Sequence, residues 1–216
     1  MIVRAFCVAM CCLLLTLWAA GSVIPGLAKD ETLLLDCFER YAHSAHFGVA
    51  AEEYPLFASQ LAAFFRHKTE NPNVSGHPFL DYEVVHLFDV RNLLDGLQIF
   101  AYGCLLGAAV LIVCLARLFK RQRFSFLPGF GAYLVLVGCV IAAAVCSFGT
   151  VFYYLHELLF TNDLWLLNPT TDLLIALMPE GMFMHLAVRV LCAVLPLPVL
   201  LGAAAVFSQK YAQPRR

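Results

Sequence analysis

Four apolar stretches, at about residues 5–24, 97–118, 130–154 and 184–207, constrain this chain more than any other feature. Each reaches the ~20 residues a helix needs to cross a ~30 Å hydrocarbon core. Lipid offers no partner for backbone N–H and C=O groups, so such stretches satisfy their own by forming helices. The strands of a membrane barrel would read as ~10-residue alternating segments, and the sequence has none. Composition agrees: 62% of residues are hydrophobic and 13% charged, against ~45–50% and ~25% in soluble domains. The expectation is an all-α membrane protein, a single membrane domain over residues 1–216. It has four transmembrane helices and an extracytoplasmic cap formed by the two outer loops, residues 25–96 and 155–183.

Charge placement gives the orientation. Arg117, Lys120, Arg121 and Arg123 fill the link between the second and third stretches; Arg4 precedes the first, and Lys210, Arg215 and Arg216 follow the last. These places are cytoplasmic by the positive-inside rule, which puts both termini inside. Every Asp and Glu falls between Asp30 and Asp95 or between Glu157 and Glu180, in the two loops assigned to the outer face. The first stretch also fits a cleaved secretory signal, but its length exceeds the usual 7–15-residue signal core and favours a span. A net charge of −1 offers no basic field for nucleic acid.

Eight of the nine cysteines lie in the apolar stretches; only Cys37 is in a loop, where it has no disulfide partner. The first loop is too long to be a bare connector. Residues 32–41 and 53–66 read as helices, and residues 71–78, rich in Asn, Pro, Ser and Gly, as a turn. From Asp81 the pattern is helical straight into the second span. Asn73-Val-Ser75 matches a glycosylation sequon, a pattern common by chance.

Histidine is the side chain best suited to trading protons near neutral pH. His43, His46, His67 and His77 sit in no recognisable pattern. His185 and Arg189 form an i, i+4 pair, and an arginine within a span requires a carboxylate or a lipid phosphate. His86 and His156 differ. Position 121, inside the basic turn, lies midway between them. If spans two and three continue outward as a hairpin, equal residue counts place both imidazoles at one height, on helices ~8–10 Å apart. Asp89, three residues after His86, can orient or charge-stabilise its ring, and Arg91 can bind a phosphate or the membrane surface. Asn162, Asp163 and Trp165 follow His156 closely and are supporting or substrate-binding candidates, though such residues also serve as helix caps and interface anchors. No Gly-x-Ser-x-Gly, HExxH or glycine-rich phosphate loop is present. Three possible ligands on two segments are a weak metal signal, so no metal or other cofactor is expected.

His86-Leu-Phe-Asp-Val-Arg-Asn92 resembles a family motif of His, two apolar positions, Asp, Val and a basic residue before a second span. His156-Glu157, Asn162-Asp-Leu-Trp-Leu-Leu-Asn-Pro169, Asp172 and Pro179-Glu-Gly181 resemble the same family's second signature. The family is the bacterial Lit-type lipoprotein intramolecular transacylases. Residues 81–95 and 152–183 carry the motifs, and the number and order of spans match over nearly the whole chain. The chain departs at Asn168, where the family often has Asp. The resemblance implies an enzyme of the bacterial inner membrane acting on diacylglyceryl-modified lipoproteins at its outer face. It would move the sn-2 acyl chain onto the α-amine of the N-terminal Cys, leaving a lyso-form N-acyl lipoprotein. His86 and His156 correspond to the family's catalytic histidines. The alternative is a non-catalytic membrane scaffold whose outer loops bind an envelope partner; scattered polar residues with no convergent pair would favour it.

Overall fold

The computed structural model describes residues 2–118 and 126–211, with residue 118 and the last four as backbone. Lys120, Arg121, Arg123, Arg215, Arg216 and the side chain of Lys210 lie outside the described residues. Nine α-helices are described: α1 Ile2–Ala28, α2 Glu31–Tyr41, α3 Tyr54–Phe65, α4 Asp81–Leu118, α5 Leu127–Cys146, α6 Phe148–Leu159, α7 Leu173–Leu177, α8 Glu180–Val194 and α9 Pro196–Tyr211. Four segments are long and apolar enough to cross a membrane: Ile2–Ala28, Asp81–Arg117, Leu127–Cys146 and Glu180–Phe207. The protein is an all-α membrane protein.

Two boundaries differ from the sequence expectation. The stretch expected over 130–154 breaks at Ser147, whose backbone (φ −157°, ψ 70°) ends α5; residues 148–154 belong to a separate helix. The stretch expected over 184–207 divides at Leu195 because Pro196 opens α9, and proline has no N–H to continue a helix. α4 runs from Asp81 straight into the second span, as its pattern implied, and is far longer than a span. Its 38 residues extend about 57 Å at ~1.5 Å each, nearly twice the hydrocarbon thickness. Residues 96–116 contain no Asp, Glu, Lys or Arg, so that half is the spanning part, and Asp81–Asp95 stand outside it.

The chain forms two compact units. The first comprises Met1–Val23, Leu97–Ser147 and Val190–Arg216. Its packing relies on small residues, the usual means of close approach between membrane helices. Gly129 lies directly against the Ala5 carbonyl, and a Cβ on Gly21 would stand 2.7 Å from the Leu97 carbonyl oxygen. Thr16 Oγ1 and Tyr133 OH share a 2.8 Å hydrogen bond between α1 and α5.

The second unit comprises Ile24–Gly96 and Phe148–Arg189 and contains the larger core. Phe38, Phe57, Leu61, Phe64, Leu177 and Met182 are fully buried. Asp30 caps α2 by accepting from the N–H groups of Thr32 and Leu33, and Pro55 opens α3, a position that needs no N–H. The expected turn is present around Gly76 (φ +91°), with Val74 bridged to His77. Cys37 is a free, fully buried thiol. Arg189 finds a carboxylate: Nη2 reaches Asp36 at 3.4 Å while Nε donates to His185 Nε2 at 2.8 Å.

Glu83 ties α4 to α7. It has no solvent exposure, and its two oxygens accept from the N–H groups of Leu80 and Leu174, each at 2.7 Å. Burial pushes its carboxyl above the ordinary range, against the two backbone bonds. A neighbouring carboxylate, Asp172, accepts from Tyr82 OH and Thr171 Oγ1, each at 2.6 Å, and from Asn168 N at 2.8 Å. Burial alone would raise the Asp172 carboxyl, but these hydrogen bonds outweigh it and hold it below its usual range. Together they anchor the 160–178 segment to the first turn of α4. Glu83→Ala leaves the buried Leu174 N–H unpaired at ~1–3 kcal/mol and removes the partly exposed bond from Leu80 N, worth ~0.5–1.5 kcal/mol, so thermal unfolding in detergent should show a loss of about 2–4 kcal/mol. Glu83→Gln, which keeps one acceptor, should lose less.

Candidate active site

Helices α4 and α6 bring His86 and His156 together, with ring centroids 6.4 Å apart and planes inclined at 36°. Their approach does not need the straight hairpin that the sequence suggested, because the chain breaks at Ser147 before α6 begins. Both rings lie outside the spanning segments. Aromatic residues enclose them. Phe160 lies 5.1 Å from His86 and 5.5 Å from His156. Phe152 sits 4.1 Å from His156 on its other side and is backed by Phe183 at 5.1 Å. Trp165 is 5.1 Å from His156 and 5.2 Å from Tyr153.

The hydrogen bonds define the rings' chemistry. His156 Nδ1 donates to the Phe152 carbonyl at 2.7 Å. A carbonyl only accepts, so the neutral ring carries its proton on Nδ1 and leaves the Nε2 lone pair free to take another. His86 is 7% exposed, and its Nδ1 is buried with no partner. Leaving that nitrogen unprotonated avoids a buried unpaired N–H, which places the proton on Nε2. One ring thus presents an acceptor and the other a donor. Burial, reinforced by the neighbouring His156, pushes the His86 imidazole down to about 4, with Asp89 acting in the opposite direction. Burial also lowers His156 below its ordinary value, against the bond to Phe152. Burial thus favours the neutral form of both rings.

The other expected residues fall into two groups. Asp89 and Asn162 join the site. Asn162 Nδ2 donates to Asp89 Oδ2 at 2.9 Å, and Asn162 Oδ1 accepts from Leu164 N at 3.1 Å, so one asparagine fixes the loop after α6 to α4. Both line a cavity of about 370 Å³ with Asn92, Leu93, Leu159 and Phe160. Trp165 joins through its tilted ring contact with His156. Asp163 turns the loop, its carbonyl accepting from Leu166 N at 3.1 Å. Arg91 Nη2 meets Glu70 at 2.8 Å, and the guanidinium lies 4.4 and 4.7 Å from the rings of Phe64 and Phe88, while its Nε and Nη1 are buried with no hydrogen-bond partner among the described residues. Three other loop histidines make structural contacts. His46 donates to the Pro169 carbonyl at 3.2 Å, His67 pairs with Asp95 at 2.7 Å and His77 with Glu53 at 3.1 Å. Among the described residues, no three His, Cys, Asp or Glu side chains are grouped to hold a metal ion.

Sequence reasoning missed the aromatic enclosure and the Glu83 anchor. Phe152 and Phe160 stand four residues before and after His156, a spacing that puts them on its face of the helix. Glu83 at the third helical position after Leu80 has the spacing of a capping carboxylate.

A multi-pass all-α membrane protein with a desolvated pair of neutral histidines has the equipment for proton transfer without a cofactor. Residues 8–183 match the family described as lipoprotein intramolecular transacylase Lit, and the chain belongs to that family of acyltransferases. The fold matches the in meso structure of the membrane-integral Lit of Bacillus cereus at a TM-score of 0.71 and 18% identity, covering 97% of this chain and 95% of that one. Structures of that protein with a histidine replaced by alanine or by arginine match at TM-scores of 0.65 and 0.61. The alanine variant is 19% identical over 97% of this chain and 96% of its own, the arginine variant 20% over 98% and 94%. Comparison with curated proteins finds no match.

Asp89→Asn deletes the charge that raises the His86 pKa while keeping size and hydrogen bonding to Asn162. The His86 titration midpoint, read by imidazole NMR, should move below about 4. Transacylation should slow severalfold or more with membrane insertion unchanged; wild-type turnover with an unshifted midpoint would remove Asp89 from the site.

Proposed function

We propose that this enzyme transfers the sn-2 acyl chain of a diacylglyceryl-modified lipoprotein onto the α-amine of its N-terminal Cys, with His86 and His156 moving the protons. The observation that carries this reading is the facing pair itself, two desolvated imidazoles with ring centroids 6.4 Å apart. The scaffold alternative has no use for such convergence.

The α-amine attacks the ester carbonyl, a C–N bond forms and the C–O bond to glycerol breaks. The amine loses one proton and the glyceryl oxygen gains one, so the reaction needs no external acid or base. His156 Nε2 takes the proton from the attacking amine. His86 Nε2–H faces the oxygen on which negative charge develops and protonates it as it leaves, and the proton held by His156 restores the pair. Donor and acceptor belong to one molecule, so positioning replaces an acyl-enzyme intermediate.

The site then belongs on the outer face of the bacterial inner membrane, where lipoprotein N-termini reside, with membrane lipid as the second partner. Both chain termini are cytoplasmic in this reading, supported by the basic residues at 117–123 and 210–216 and by the acidic loops. Reporter fusions after residues 70, 121, 170 and 216 should read out, in, out and in; an outside C-terminus contradicts the orientation.

His86→Ala and His156→Ala should each lower turnover of a diacylglyceryl lipopeptide by about 10²-fold or more at normal protein levels, measured by mass spectrometry of the lipopeptide. The wild-type rate should rise with pH as the substrate amine, with a reference pKa of ~7.7–8.0, loses its proton. The His156 limb should lie below the ordinary histidine range, since burial favours its neutral form. Full turnover by either alanine variant would leave the scaffold reading.

A further inference from the structure

Helix α6 has an apolar face that stays exposed among the described residues. None of its twelve residues is buried. At ~100° per residue, Phe148, Gly149, Phe152 and His156 share one face, and these four are the half-buried positions. Tyr154 and Leu158 point within about 20° of directly away from His156, and Val151 and Leu155 flank them. Leu158 is 81% exposed and Tyr154 63%. Scattered exposed apolar residues are normal, but a continuous stripe on one helix marks a partner.

We propose that α6 is an interfacial helix, lying in the outer bilayer boundary with its Val151–Tyr154–Leu155–Leu158 stripe among the lipid headgroups and upper acyl chains. Three observations commit the stripe to lipid. Ser147 is the one residue between the end of the spanning helix α5 and the start of α6, so the chain enters α6 where it leaves the hydrocarbon. Twelve residues extend only about 18 Å, too short to cross and suited to lying in the boundary. Glu157 is the single Asp, Glu, Lys or Arg within α6, and it sits to one side of the stripe, while Tyr153 and Tyr154 supply the amphipathic rings that favour the headgroup level. His156, on the opposite face, then stands about one helix width (~10 Å) outward of the inserted stripe, within reach of a lipid-anchored substrate drawn up from the bilayer. This last consequence rests on the transacylase reading; the placement of α6 does not.

The chain has two tryptophans, Trp18 and Trp165, so a third can be read alone once both are Phe. The full-length Trp18→Phe, Trp165→Phe, Leu158→Trp protein is reconstituted into phosphatidylcholine–phosphatidylglycerol vesicles. Lipid brominated near the top of its acyl chains should quench Leu158→Trp at least twofold. Acrylamide should quench it severalfold less than a Lys68→Trp control in the same background. Strong acrylamide quenching without lipid quenching overturns the proposal in favour of a solvated face, and protection from both quenchers overturns it in favour of a protein partner. Tyr154→Trp gives the same readings from the same stripe if Leu158→Trp fails to insert. Quenching needs no turnover, so its failure leaves the transacylase reading intact, and failure of that reading leaves the quenching result standing.

Discussion

Desolvation of two imidazoles without a carboxylate bonded to either ring is the condition on which the site depends. A buried ring loses the hydration that would stabilise its charged form, so His86 falls to about 4 and His156 below its ordinary value. Were either ring held protonated at neutral pH by a directly bonded Asp or Glu, it could not accept a proton from an amine. Asp89 contributes from one step away: its Oδ2 is occupied by Asn162, so it biases His86 through charge. The Phe152, Phe160 and Trp165 rings supply the apolar enclosure that keeps both histidines neutral.

That enclosure has to be built from two distant pieces of chain, and buried polar contacts hold them in place. Glu83 accepts from the N–H of Leu174, ninety-one residues away in sequence, and Tyr82 donates to Asp172 across ninety. Asn162 does the same from the other end of the segment by gripping Asp89. Each contact joins the outer half of α4 to the segment after α6, which carries Phe160 and Trp165. α4 itself is continuous from the Asp81 turn into its spanning half, so the histidine it bears sits on a rigid element.

Much of this was legible in the sequence because lipid imposes a strong rule on composition. The four apolar stretches marked the four crossing segments, and the charged cluster from Asp81 to Asp95 marked where α4 leaves the hydrocarbon. The pairing of His86 with His156 was also readable, although the straight-hairpin geometry behind it does not hold. Hydropathy counts apolar residues and cannot register the break at Ser147, because 148–154 is as apolar as the span before it. The same blindness hid the division at Leu195, where Pro196 was the visible signal. Glu70, Phe64 and Phe88 left no sign in the sequence of their place around Arg91, because they meet its guanidinium only in three dimensions. Asn168, the departure from the family pattern, shows a local role: its Oδ1 accepts from Thr170 N and Oγ1 and closes the turn that carries Asp172.

The central claim is that this histidine pair moves an acyl chain from oxygen to nitrogen within one lipopeptide molecule. A crossover measurement tests it most directly. Purified protein receives an equimolar mixture of two diacylglyceryl lipopeptides, one unlabelled and one with deuterium in the sn-2 chain and ¹³C in the peptide. Mass spectrometry of the N-acyl products should find deuterium only on ¹³C peptides, with no acylated protein. Deuterium scrambled between the two peptides, or an acyl group on the protein, would contradict direct transfer by the His86–His156 pair.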